Sequence, residues 1–193
     1  RQMCIRDRFW KKVYAQVDGC MEKDGGPVIG IQIENEYGHV GGLQGPEGEA
    51  HIRTLTAMAK EIGFDVPLYT ATGWGGACIG DLLPVMGGYC EAPWDQRTCE
   101  IEPNANFVFS HTRNDALIAC DHHVENANSY NEEDFPFLTA ELGGGLQVTM
   151  HRRPVAKGCD VGAMSTVKMG SGAGLLGYYM YHGCLLYTSD AAD

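Results

Sequence analysis

The chain has 193 residues, of which 44% are hydrophobic and 20% charged, a composition typical of one globular domain or of part of one. Its formal net charge of -11 argues against nucleic acid as a partner, because binding to phosphate groups requires Lys and Arg. No apolar run approaches the roughly 20 residues of a membrane span, so no membrane partner is expected either.

The two ends of the chain differ in character from the rest. Residues 1–8 (RQMCIRDR) and residues 184–193 (CLLYTSDAAD) continue no neighbouring pattern and resemble translated adapter or vector sequence. We therefore expect residues 9–183 to form the native part.

The cysteines within 9–183 are widely spaced and form no C-x-x-C pair, which favours a reduced, cytoplasmic setting. Localisation nevertheless stays open, because the parent protein could be secreted.

An amphipathic helix is the first predicted element, over residues 9–24, because apolar residues recur there at a spacing of four. Gly25 and Gly26 are expected to end this helix. Residues 28–34 then form a nearly continuous run of Val and Ile, typical of a strand buried on both faces. The apolar positions of the helix are Phe9, Val13, Val17 and Met21.

Strand and helix patterns continue to alternate along the chain. This alternation favours an α/β fold, in which helices cover a parallel sheet. Five predicted strands fit either an open doubly wound sheet or part of an eight-stranded barrel, and periodicity does not choose between them. The later elements are a helix over 52–62 closed by Gly63, a strand over 66–72, a short helix over 81–83, a strand over 85–90, an irregular stretch over 95–113 with an extended piece at 107–109, a helix over 115–124, and then a strand over 135–140, a helix over 160–169 and a strand over 175–181.

Polar and aromatic side chains follow the predicted strands. In a (β/α)8 barrel, this carboxyl-terminal face of the strands holds the active site. Two of the strands place a glutamate there, Glu36 and Glu141. The other side chains at strand ends are Glu34, Asn35, Thr72, Trp74, Trp94, Tyr179 and Tyr181.

Two facing carboxylates surrounded by aromatic rings suit the hydrolysis of a glycosidic bond. One carboxyl serves as general acid and base, and the other attacks the sugar carbon. The retaining reaction needs them about 5–5.5 Å apart, and the inverting reaction needs about 6.5–9.5 Å. The environment must raise the pKa of the acid and keep the nucleophile ionised. Trp74 and Trp94 are candidates for stacking on the sugar.

The sequence Glu34-Asn35-Glu36 is unusual at the end of an apolar strand. Strand alternation would aim Glu34 and Glu36 to one side of the sheet and Asn35 to the other. A bulge or the end of the strand must therefore bring Asn35 to the same side. Such a strained arrangement is more typical of a functional site than of a scaffold.

Three segments carry a resemblance to a known family. GGPVIGIQIENEYG (residues 25–38) resembles the signature of glycoside hydrolase family 35, which contains β-galactosidases. FLTAELGG (residues 137–144) is similar to the segment around that family's nucleophile, and GYYMYHG (residues 177–183) to its last barrel strand. The resemblance covers residues 9–183. It implies a partial (β/α)8 TIM barrel, containing the fourth to eighth strands with covering helices.

The resemblance also implies roles for single residues. Glu36 would be the general acid and base, and Glu141 the nucleophile of a retaining exo-β-galactosidase. Asn35 would bind the sugar 2-hydroxyl, Glu34 other sugar hydroxyls, and Tyr179 would line the sugar pocket. The substrate would be a terminal β-galactoside, and no metal or organic cofactor is implied.

Departures from the family pattern lead to a further expectation. The first three barrel strands of the family pattern are absent from this sequence, and so is the second glycine that directly follows Gly183 in that pattern. The chain is therefore expected to be a fragment that is inactive and poorly soluble alone. Alternatives are another retaining β-glycosidase, such as a β-glucosaminidase, or a non-catalytic carbohydrate-binding barrel. A doubly wound nucleotide-binding domain is disfavoured, because the chain lacks a phosphate loop. The oligomeric state is not indicated.

Overall fold

The computed structural model describes residues 2–39, 41–72, 75–90, 98, 105–111, 113, 129–143 and 157–178. The chain divides into two compact units, one of Arg1–Val85 with Asn128–Asn131 and one of Met86–Ala127 with Glu132–Asp193. The described helices are α1 (Gln2–Val17), α2 (Gly45–Ile62) and α3 (Gly158–Gly170). The described strands are β1 (Ile31–Asn35), β2 (Leu68–Ala71), β3 (Leu83–Gly88) and β4 (Thr139–Leu142).

All four strands are parallel, and their order in the sheet is β1-β2-β3-β4. In the first unit, β2 lies between β1 and the first half of β3. In the second unit, the last half of β3 pairs with β4. Beyond β4, Leu175 and Tyr178 form parallel bridges with Leu138 and Leu142, so the described part of the fifth predicted strand does pair with the sheet.

The core of the first unit lies between β1, β2 and the helices. Ile33 of β1 and Leu55 of α2 are buried in it, together with Leu68 of β2. Helix α2 begins with Pro46 in its first turn and ends at Gly63, whose φ of 116° suits glycine. The Gly63 N–H donates to the carbonyls of Ala59 and Lys60, which satisfies two groups at the helix end.

The prediction for the buried face of α1 is wrong in its first half. Phe9 and Val13 are exposed, whereas Trp10, Tyr14 and Val17 pack against the core. Both faces of this helix carry apolar residues at a spacing of four, so periodicity alone could not select the inner one. The helix also begins at Gln2 rather than at residue 9 and ends at Val17 rather than at residue 24, and a separate 3-10 turn follows at Glu22–Asp24.

The short helix predicted over residues 81–83 is also wrong, because a turn at Gly80 leads directly into β3. The Glu49 carboxylate of α2 accepts hydrogen bonds from the N–H groups of Ile79 (3.2 Å) and Gly80 (2.7 Å). Gly80 has a φ of 56°, which does not fit a right-handed helix. A side chain distant in sequence therefore determines this turn.

The other predicted helices and strands that fall on described residues agree with the structure within a few residues at each boundary, except that α2 begins at Gly45 rather than at residue 52. One difference is the piece expected to be extended at 107–109, which overlaps a 3-10 turn at Ala105–Phe107. The helix predicted over 115–124 lies outside the described residues. No helix in the described part of the chain combines the length and apolar character needed to cross a lipid bilayer.

Candidate active site

The end of β1 is irregular, as the Glu34-Asn35-Glu36 sequence predicts. The pairing of β1 with β2 shifts register between Gln32 and Asn35. Directly after the strand, Glu36 has a φ of 51°, the one positive φ of a non-glycine residue within the described ranges. Its N–H donates to Ala71 O of β2 (2.9 Å), and its carbonyl accepts from the His39 N–H (3.0 Å). The backbone of Glu36 is therefore fixed in a strained conformation at the carboxyl end of the strand.

The register shift brings Asn35 to the side of the sheet that carries Gln32. The Gln32 Nε2 donates to the Asn35 Oδ1 at 3.0 Å and to the Glu34 carbonyl at 2.9 Å. Both side chains are exposed, whereas Ile33 between them is buried in the core. The register shift and this hydrogen bond fit the predicted reorientation of Asn35, whereas a shared side with Glu36 stays a prediction.

Glu34 takes part in a chain of contacts that sequence analysis did not identify. Its Oε1 lies 2.9 Å from Arg6 Nη2 of α1, and Arg6 Nη1 lies 3.0 Å from His51 Nε2 of α2. The His51 ring stacks on Tyr37, with a centroid distance of 4.6 Å. Burial lowers the pKa of His51, and the Arg6 charge lowers it further, while Glu34 acts in the opposite direction. Because a guanidinium can only donate, the His51 Nε2 accepts this hydrogen bond from Arg6. The predicted binding of sugar hydroxyls by Glu34 stays a prediction.

Glu141 lies on β4, where it is paired with Gly87 of β3. The Tyr89 hydroxyl donates a hydrogen bond of 2.9 Å to Glu141 Oε2. Burial raises the pKa of Glu141, and the Tyr89 hydroxyl opposes this by stabilising the ionised form. The sequence analysis expected a raised pKa for the general acid, Glu36, and not for the nucleophile, Glu141. The raised pKa of Glu141 therefore differs from that expectation.

Two residues that sequence analysis missed shape the surroundings of Glu141. Tyr89 is buried at the end of β3, and its carbonyl accepts from Asn106 Nδ2 at 3.2 Å. Gly87 leaves room for the carboxylate, because a Cβ at that position would lie 3.3 Å from the Glu141 Cβ. An aromatic residue at a strand end is a signal that could have identified Tyr89, as it did Trp74 and Trp94.

Three predicted substrate-binding residues, Trp74, Trp94 and Tyr179, lie outside the described part of the chain. Among the residues that the structure describes, no cluster of three or more His, Cys, Asp or Glu side chains could hold a metal ion. The groups described above are carboxylate, amide and phenol side chains, those around Glu36 in the first unit and those around Glu141 in the second.

Comparison with known proteins finds a match between residues 3–189 and the model of the family described as glycosyl hydrolases family 35. Similar curated proteins include Beta-galactosidase 17 of Arabidopsis thaliana, 38% identical over 68 residues, which are 35% of this chain and 9% of that protein. Beta-galactosidase 8 of Oryza sativa subsp. japonica is 32% identical over 81 residues, 42% of this chain and 11% of its own length. Beta-galactosidase 6 of the same rice is 39% identical over 62 residues, 31% of this chain and 7% of its own length. The chain thus aligns with a small part of each relative.

Proposed function

Because the chain belongs to the glycosyl hydrolases of family 35, we propose that it is part of a retaining exo-β-galactosidase, which releases terminal β-galactosyl groups. Residues 9–183 would form the carboxyl-terminal part of a (β/α)8 catalytic barrel, with β1 to β4 as its fourth to seventh strands and the strand that starts at Leu175 as its eighth. The parallel, consecutive strand order supports this, because a doubly wound sheet reverses its order at a switch point.

The observation that carries the proposal is that two carboxylates lie at the carboxyl ends of parallel strands, each in a specialised environment. Glu36 follows β1 in a strained conformation, and Glu141 on β4 is partly buried and accepts a hydrogen bond from Tyr89. Strain and a perturbed carboxyl pKa both occur preferentially at functional sites. We assign Glu36 as the general acid and base and Glu141 as the nucleophile.

The proposed reaction proceeds in two displacements. Glu141 attacks the anomeric carbon while Glu36 protonates the glycosidic oxygen, so that the carbon–oxygen bond breaks and the aglycone leaves as an alcohol. In the second step, Glu36 removes a proton from water, and the resulting hydroxide displaces Glu141 from the sugar. Both glutamates return to their starting protonation states, and the anomeric configuration is retained. This reaction requires a carboxyl separation of about 5–5.5 Å.

The raised pKa of Glu141 is compatible with its role as nucleophile. A carboxylate with less solvation is more basic and more reactive, provided that the working pH lies above its pKa. The Tyr89 hydroxyl helps to keep Glu141 ionised, since it donates to the charged form. Activity should therefore decline on the acid side as Glu141 becomes protonated.

The test uses the protein with its complete catalytic domain, in which Glu36→Gln and Glu141→Gln are compared on aryl β-galactosides. Both variants should lose activity by at least about 10²-fold on a substrate with a poor leaving group. On a dinitrophenyl galactoside, which needs no proton from the enzyme, formation of the glycosyl–enzyme intermediate should recover in Glu36→Gln and not in Glu141→Gln. Equal recovery in both variants would contradict the assignment.

A stability measurement separates loss of chemistry from loss of fold. Burial raises the pKa of Glu141 in the folded protein above its value in the unfolded chain. The folded protein therefore loses stability as the pH rises from the unfolded-state pKa through the folded-state pKa, where Glu141 becomes ionised. Glu141→Gln should therefore unfold at an equal or higher temperature than wild type at neutral pH. A large decrease in its melting temperature would mean that activity was lost through misfolding.

The protein with its complete catalytic domain also tests two alternative functions. A β-glucosaminidase or another β-glycosidase would prefer a different aryl glycoside, which a panel of sugars identifies. A non-catalytic carbohydrate-binding barrel would bind galactosides without hydrolysis, and Glu141→Gln would leave its binding function intact. The bound carbohydrate is the one partner that the proposal requires.

A further inference from the structure

We propose that Gln32 is a positioning residue, which fixes which end of the Asn35 side-chain amide faces the substrate. This inference rests on the proposed function, because it concerns the residue expected to contact the sugar 2-hydroxyl. It adds a residue of β1 that is not itself part of the Glu34-Asn35-Glu36 segment.

The hydrogen bonds of Gln32 determine the orientation of both amides. The Glu34 carbonyl can only accept, so the Gln32 atom that lies 2.9 Å from it must be the donor Nε2. The same Nε2 lies 3.0 Å from one polar atom of the Asn35 side chain, which must therefore be the acceptor Oδ1. A backbone carbonyl thus fixes the Gln32 amide, and the Gln32 amide fixes that of Asn35.

With its Oδ1 bonded to Gln32, Asn35 offers its Nδ2 as a donor to other groups. The proposed nucleophile Glu141 is ionised in the first step and can only accept, so a sugar hydroxyl that donates to it needs a donor for its own lone pairs. An amide turned the other way would present an acceptor to a hydroxyl whose proton is already in use. Orientation of the amide therefore decides whether the 2-hydroxyl contact is attractive.

The local geometry makes this arrangement specific to the bulge. In a regular strand, positions 32 and 35 would lie on opposite faces and could not bond. The register shift between Gln32 and Asn35 places them on one face, three residues apart. Gln32 also bonds to the Glu34 carbonyl within the bulge, so a purely structural role for Gln32 must be distinguished from positioning of Asn35.

The experiment uses the protein with its complete catalytic domain and the variant Gln32→Met, which keeps the length of the side chain and removes the donor without adding charge. Its kcat/KM is measured on an aryl β-galactoside and on the matching 2-deoxygalactoside. The control variant is Gln16→Met, the same change on the exposed face of α1. The double variant Gln32→Met/Asn35→Ala completes the cycle.

Gln32→Met should lower kcat/KM on the galactoside by about 10-fold or more and change it little on the 2-deoxygalactoside, since several kcal/mol of transition-state stabilisation come from the 2-hydroxyl. The loss should disappear when Asn35 is already Ala, and Gln16→Met should behave as wild type. Equal losses on both substrates, or a loss that persists in the Asn35→Ala background, would overturn the proposal and indicate a structural role.

Neutron crystal structures of wild type and Gln32→Glu, which distinguish the nitrogen of an amide from its oxygen, provide a readout that does not depend on turnover. A carboxylate at position 32 accepts and cannot donate, so Asn35 should rotate to direct its Nδ2 toward residue 32. An unchanged Asn35 side chain would overturn the proposal, even if the protein proved inactive on every galactoside. Absence of galactosidase activity with the rotated Asn35 would instead reject the proposed function and leave the positioning role supported.

Discussion

Glu36 adopts a backbone conformation that its side chain disfavours. Its φ of 51° lies in the left-handed region, which costs a residue with a Cβ roughly 1–2 kcal/mol relative to the right-handed helical region. Hydrogen bonds from the Glu36 N–H to Ala71 and from His39 to the Glu36 carbonyl hold the backbone there. The surrounding structure therefore supplies the free energy that keeps the proposed acid in place.

This strain predicts a difference between two substitutions at position 36. Glu36→Gly should be more stable than Glu36→Ala by about 0.5–1 kcal/mol, because glycine tolerates positive φ but loses more entropy on folding. Urea denaturation of the two variants measures this difference in the free energy of unfolding. An Ala variant at least as stable as the Gly variant would show that the conformation at position 36 is not strained.

The Tyr89–Glu141 hydrogen bond predicts a change in the pH dependence of activity. The Tyr89 hydroxyl lowers the pKa of Glu141, against the effect of burial, so Tyr89→Phe should raise that pKa. A higher pKa means that Glu141 becomes protonated at a higher pH. The acid limb of the kcat/KM profile should therefore move to higher pH in Tyr89→Phe.

The matched control for this prediction is Tyr14→Phe. Tyr14 of α1 donates to Asp18, so this variant also loses a tyrosine hydroxyl that is hydrogen-bonded to a carboxylate, but one other than Glu141. Its pH profile should coincide with that of wild type. If Tyr89→Phe also left the acid limb in place, either Glu141 would not be the group that titrates there or Tyr89 would not influence it.

At the level of elements, α2 connects β1 to β2 and supplies much of the core of the first unit. Leu55 is fully buried, in contact with a cluster that includes Ile33 and Leu68. The crossover from one parallel strand to the next requires such a covering helix. The position of the β1 terminus, and with it Glu36, thus depends on packing beneath the strand.

Truncation of a buried side chain on α2 should destabilise the first unit strongly. We expect Leu55→Ala to lower the free energy of unfolding by about 2–5 kcal/mol, through lost burial and a cavity. Lys60→Ala, at an exposed position of the same helix, should change it by about 0.5 kcal/mol or less. Urea denaturation monitored by circular dichroism measures the free energy of unfolding of the two variants. Similar denaturation midpoints would refute the assignment of Leu55 to the core.

At the scale of the whole molecule, β1 is an edge strand of the described sheet. Within the described residues, β1 pairs with β2 and with no other strand. Open edges favour association with other chains. A complete barrel would close this edge.

The 193-residue chain on its own should therefore self-associate and fail to hydrolyse aryl β-galactosides. Light scattering coupled to size-exclusion chromatography measures self-association, and a colorimetric assay measures hydrolysis of aryl β-galactosides. The protein with its complete catalytic domain serves as the control and should be active. A monodisperse, active 193-residue chain would contradict the proposed partial barrel.

Local sequence patterns determined the α/β class, the approximate strand positions and the placement of Glu36 and Glu141 at strand ends. These follow from periodicity, β-propensity and glycine stops, which involve residues near one another in the chain. The irregular end of β1 was also predictable, because regular alternation would separate Asn35 from the two glutamates that flank it. The same local reasoning could not identify the buried face of α1, since both of its faces are apolar.

Only the tertiary structure decided the contacts between residues far apart in the sequence. The Glu34–Arg6 ion pair, the Tyr89–Glu141 hydrogen bond and the turn that Glu49 holds at Gly80 are of this kind. The direction of the Glu141 pKa shift belongs with them, because burial depends on everything packed around the carboxyl group. The sequence by itself thus determined which residues stand at the strand ends, whereas folding determined their partners, since those partners meet only when distant segments pack together.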